Sequence, residues 1–160
     1  MRRRRDNQSG VSLVELVCVT AIVMTLAGLT LPVANTFVKR QKETELRQAL
    51  RKIREALDRF QADTTRFPGI RTLHLDATNE EGYPEELEWL VEGIDIGDAA
   101  GTKIKYLRRI PRDPITGGLE WGTRSSRDTP ESLFSDGINI FDVFSESDKV
   151  ALDGTKYRDW

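Results

Sequence analysis

Glu15 is the only carboxylate in an apolar run that extends from Val11 to Val38, and the run follows Gly10 and a head containing Arg2, Arg3, Arg4 and Arg5. A carboxylate at the centre of a hydrocarbon layer costs on the order of 2.5–3.5 kcal/mol, and less near an end, so one that persists there is usually functional. About four residues into the run, Glu15 can lie near an interface, where it either meets a cation or reaches water. Other reactive side chains are sparse. Cys18 is the single cysteine, which excludes an intramolecular disulfide, and His74 is the single histidine, which argues against a zinc site of the His/Cys type. The acidic pairs Glu80-Glu81 and Glu85-Glu86 are neighbours whose side chains point apart, so they do not make an acid/base couple. No G-x-S-x-G, phosphate loop or metal-ligand cluster is present, and an enzyme is disfavoured.

The element that carries Glu15 must be a long helix. Roughly 28 residues at 1.5 Å each reach about 42 Å, and a hydrocarbon core needs about 20 apolar residues. The leader arginines favour the cytoplasmic side, so the remainder should face away from it. Pro32, with Gly28 before it, removes a backbone hydrogen bond and marks a kink or flexible point, although both residues are also common in membrane helices. An ordinary secretory signal fits poorly, because cleavage after Ala34 would put Pro32 where a small residue is wanted. A plain unprocessed anchor gives no reason for the positions of Gly10 and Glu15.

Beyond the run the chain is wet: charged residues make up 31% of it. Leu46, Ala49, Leu50, Ile53, Leu57 and Phe60 recur at three- and four-residue steps, the stripe of an amphipathic helix over 39–64. The arginines and acids between them read as a solvated face. Phe67-Pro68-Gly69 should stop that helix. Pro84 followed by Glu85 and Glu86 predicts a short helix over 84–92, and Asn139–Phe144 predicts a strand with one buried face. Without the leader, which carries +3, the formal charge falls from −2 to about −5, so a nucleic-acid partner is disfavoured.

Taken in order, the basic head, Gly10, the apolar run and Glu15 resemble the type III signal of type IV pilins and type II secretion pseudopilins. Pro32, residue 22 counted from Val11, stands where pilin-like helices commonly carry a proline. Tyr106-Leu107-Arg108-Arg109-Ile110-Pro111-Arg112-Asp113-Pro114 is similar to a stretch of the major (G-type) pseudopilins, and Asp142-Val143-Phe144-Ser145 to their late strand.

The resemblance implies an α+β pilin-like fold: a long N-terminal membrane-spanning helix, packed by its C-terminal half on a small antiparallel sheet. It implies a leader, 1–10, cut by a prepilin peptidase after Gly10, with N-methylation of Val11. Residues 11–38 would be the anchor and later the filament core, and 39–160 an extracytoplasmic domain. It assigns Glu15 the freed amine of a neighbouring subunit's Val11. Partners would be membrane lipid, an inner-membrane assembly platform and other pseudopilin subunits. The single-pass protein would sit in the inner membrane with its C-terminal domain in the periplasm. A type IV or competence pilin, and a membrane-anchored binding protein, are the alternatives. Major pseudopilins hold calcium in a late glycine-rich loop; that pattern is absent here, which leaves Asp142, Asp148 and Asp153 as weak candidate ligands.

Overall fold

The apolar run and the charged stripe after it form one continuous helix, α1, Leu13–Arg66. The computed structural model describes residues 10–74, 77–130, 132 and 134–160, and within α1 all but the side chains of 29–33. The leader arginines therefore lie outside the described residues, as does the side chain of Pro32. The chain divides into two units, Met1–Lys39 and Arg40–Trp160.

In the first unit large apolar side chains are exposed at successive positions, among them Leu13, Val14, Leu16, Val17, Val19, Ile22, Val23, Met24 and Leu26. At 100° per residue these point in every direction, and a helix apolar all round belongs inside something else. Two of its hydroxyls are bonded within the helix: Thr20 Oγ1 donates to the Leu16 carbonyl at 2.9 Å and Thr25 Oγ1 to the Ile22 carbonyl at 2.8 Å. Among the described residues, no helix is long and apolar enough to cross a membrane. Residues 29–33, whose side chains are not described, fall within the second half of this apolar stretch.

In the second unit α1 becomes one-sided. Leu46, Ala49, Leu50, Ile53, Leu57 and Phe60 are buried, the stripe expected from their spacing. The helix ends where expected: Phe67 is extended, as the residue before a proline must be. Pro68 then opens a second helix, α2, Pro68–Leu73, which the sequence reading did not include. The signal that stops one helix starts the next, because proline suits a first helical turn.

The fold is α+β, but what faces α1 is not one sheet. After a short helix α3, Trp89–Glu92, come β1, Ile94–Asp95, and β2, Lys103–Ile104, paired antiparallel. Then β3, Gly122–Arg124, pairs antiparallel with β4, Asp142–Phe144. Each strand has only two or three residues, and much of the core comes from loops: Ala77, Leu87, Trp121, Ile140 and Ala151, with Tyr157 of a final 3-10 turn, Tyr157–Asp159, join the α1 stripe, Leu90, Ile94 and Val143. The expected helix over 84–92 is shortened at its start. The Glu85 N–H is committed to the Ala77 carbonyl at 3.3 Å, and the Pro84 carbonyl accepts the Ile140 N–H at 2.7 Å. Pro84 is thereby held in a bridge with Thr78, and helix begins only at Trp89. Likewise the expected strand over 139–144 is reduced to β4.

Two close approaches explain two glycines. A Cβ on Gly69 would lie 2.7 Å from the Ile96 carbonyl oxygen, so α2 can reach the end of β1 only through glycine. Gly122 faces Phe144 across the β3–β4 pair, and the Phe144 ring lies over the place a Cβ would take.

Candidate functional site

Gly10 and Val11 precede α1 in non-helical conformation, and both are exposed, Val11 by 71%. Among the described residues, nothing lies within 4 Å of a Cβ built on Gly10. Glu15 is in the first turn of α1 and exposed. There a carboxylate favours the positive end of the helix dipole. Cys18, one turn on, is a free, exposed thiol. At Pro32 the helix continues.

The two segments similar to pseudopilins meet in the second unit. Asp113 is fully buried, and its Oδ2 accepts the hydroxyl of Ser145 at 2.5 Å. Its Oδ1 accepts the Ile115 N–H at 2.7 Å, and its carbonyl accepts the Gly117 N–H at 2.8 Å. The Pro111 carbonyl takes the indole N–H of Trp121 at 3.0 Å. Further back, the N–H groups of Tyr106 and Leu107 both reach the Leu90 carbonyl, at 3.0 and 2.8 Å. The Tyr106 ring packs against Phe60 of α1. Burial first, then the charge of Asp63, pushes the pKa of its hydroxyl up. Tyr106–Pro114 is thus a brace between α1, α3 and the end of β4.

Each aspartate considered for calcium faces an arginine. Asp142 lies between Arg54 and Arg124, Asp148 is paired with Arg158, and Asp153 stands 3.6 Å from Arg47 while accepting from Thr155. Among the described residues no three His, Cys, Asp or Glu side chains are grouped to hold a metal. Calcium takes six to eight oxygens converging on one point; these oxygens are turned toward guanidinium groups.

Of the acidic pairs, Glu81 is tied into a polar cluster. It accepts from Ser126, from Asn139 at 2.7 Å, from Asn79 at 3.1 Å and from Arg127 at 3.2 Å. The Ser126 hydroxyl above all, with Asn79 and Arg127, holds its carboxyl down at about 2. Glu80 and Glu85 are exposed. His74 packs beside Trp89, with ring centroids 6.1 Å apart.

Sequence reading treated the charges on the second half of α1 as a solvated face, and here it missed a set of contacts. Glu43 accepts the Leu152 N–H at 2.8 Å and the Tyr157 hydroxyl at 3.0 Å. Burial first, then Glu43, raises the Tyr157 pKa to about 12. Arg47 lies 4.3 Å over the Trp160 ring, and Arg54 bonds Asp142, Val143 and Trp160. Spacing offered a hint: 43, 47 and 54 fall on one flank of the buried stripe.

Over 149 residues the chain is 28% identical to the type II secretion system core protein G of Pseudomonas aeruginosa, a match covering 91% of this chain and 94% of that protein. No family model matches the chain. No solved structure matches it either. The likeness to that secretion protein runs nearly end to end, and it supports a pseudopilin-like relationship for this chain.

Proposed function

We propose that this chain is a structural subunit of a type II secretion pseudopilus, or of a closely related filament, built from the inner membrane to drive export of folded proteins. The observation that carries the reading is the first half of α1. Its apolar side chains are exposed on every side, while each member of the second unit's core comes from Leu46 onward. Such a helix needs an apolar surrounding from elsewhere: lipid before assembly, the equivalent helices of other subunits after it.

The remaining steps follow. The leader arginines keep the head on the cytoplasmic side, and the domain faces the periplasm. A prepilin peptidase cuts after Gly10, and the new amine of Val11 is N-methylated. That cation meets Glu15 of a neighbouring subunit, so each incoming helix brings the countercharge that makes a carboxylate tolerable in an apolar core. An inner-membrane platform feeds subunits into the filament. No step calls for catalysis by this chain.

The test is Glu15→Ala in the native host. The variant is expected to insert and be processed normally, yet fail to enter filaments or support secretion, with Glu15→Asp intermediate because it keeps the charge at shorter reach. Assembly of Glu15→Ala at the wild-type level would contradict this role.

A further inference from the structure

Asp142, one of the weak candidate calcium ligands, is occupied in a way that does not suit a cation. Arg124 of β3 stands directly across from Asp142 of β4. The Arg124 side chain is only 7% exposed, with Nη1 3.4 Å from Asp142 Oδ2. Its other two nitrogens are also bonded: Nε donates to the Ser132 carbonyl at 2.8 Å and Nη2 to the Arg158 carbonyl at 3.2 Å. The guanidinium lies 4.1 Å from the centre of the Phe144 ring. From the other side comes Arg54 of α1, with Nε 2.6 Å from Asp142 Oδ1. Its Nη2 reaches Asp142 Oδ2 at 3.3 Å, the Val143 carbonyl at 3.1 Å and the Trp160 carbonyl at 2.9 Å. One half-buried carboxylate thus holds two guanidinium groups, which together bind six backbone and side-chain oxygens of the C-terminal half of the domain. Gathering carbonyl and carboxylate oxygens around positive charge is the work a structural cation does. A planar fork does it with fixed directions.

We propose that Arg54 and Arg124 stand in for a structural cation, locking the C-terminal segment to α1 through Asp142 so that this domain keeps its fold without calcium. A divalent ion approaching Asp142 would meet two positive charges already in contact with both carboxylate oxygens. The comparison with calcium rests on the proposed function. The lock is a property of the domain alone, so loss of filament assembly in another variant would leave it standing.

Thermal unfolding of the full-length chain in detergent, followed by tryptophan fluorescence, tests this. The wild-type midpoint is expected to be the same in EDTA and in millimolar calcium. Asp142→Asn is expected to lower it by several degrees in both, since Arg124 is left buried without its countercharge. Arg54→Lys, the milder change, should lower it less, because an ammonium cannot bridge Asp142, Val143 and Trp160 together. It keeps the test open should Asp142→Asn not fold. Combining Arg54→Lys with Asp142→Asn should cost less than the two losses added, as for residues sharing one network. A wild-type midpoint raised by several degrees in calcium would overturn the proposal, and so would losses that simply add.

Discussion

The two halves of α1 are continuous in backbone but differ in what their apolar residues do. In Leu46–Phe60 the large apolar side chains fall on one stripe and are 2% exposed or less. In Leu13–Leu26 they fall on all sides, and Leu13 and Met24 are exposed by 77% and 73%. Helical propensity is common to both, so the difference is one of periodicity. A stripe specifies a partner in one direction, here the protein's own core. An unbroken apolar cylinder specifies a medium.

The sharpest way to break this contrast is to shorten one large apolar side chain in each half. Phe60→Ala is expected to destabilise the domain by about 3–5 kcal/mol through lost burial and the cavity left behind. Met24→Ala should leave the domain's unfolding midpoint where it was. Chemical denaturation of both variants checks this, and equal losses would erase the distinction.

Gly122→Ala probes the β3–β4 register with a smaller effect. The new methyl would displace the Phe144 ring, which is 5% exposed and held beneath Arg124. A loss of about 1–3 kcal/mol is expected, as for overpacking. A neutral result would mean that the ring moves freely and that its contact with Arg124 contributes little.

The smallest effect concerns Glu81, whose carboxyl is lowered from 4.5 to about 2 by Ser126, Asn79 and Arg127. A lowered folded-state pKa contributes stability that is full above the ordinary value and lost as pH falls through the folded value. Wild type should therefore exceed Glu81→Gln in thermal midpoint at pH 6, with the gap closing between about 4.5 and 2. A gap that stays constant over that range would place the Glu81 contacts outside this linkage.

What the sequence made legible were the features written in periodicity or in a backbone rule. The stripe on α1, its stop before Pro68 and a strand around Val143 could each be read locally. Helix α2 escaped because proline was taken only as a stop. Strands of two or three residues are too short to show alternation, and their pairing depends on distant partners such as Thr123 and Val143. The arginine contacts were hidden for the same reason. Arg54 and Asp142 lie 88 residues apart, and at that separation a half-buried guanidinium looks like any solvated one. Gly10, Val11 and Glu15 were picked out by order along the chain, and the structure places them in an exposed segment and the first turn of α1.

The most direct test of the central contrast is to cut α1 between its halves. Residues 40–160, expressed alone in buffer, should sediment as a folded monomer with a cooperative thermal transition, because every residue of the core is retained. The full-length chain should instead partition into membranes or assemble. A fragment that is unfolded or aggregated while the full-length chain is a soluble monomer would contradict the account, since the first half of the helix would then belong to the fold.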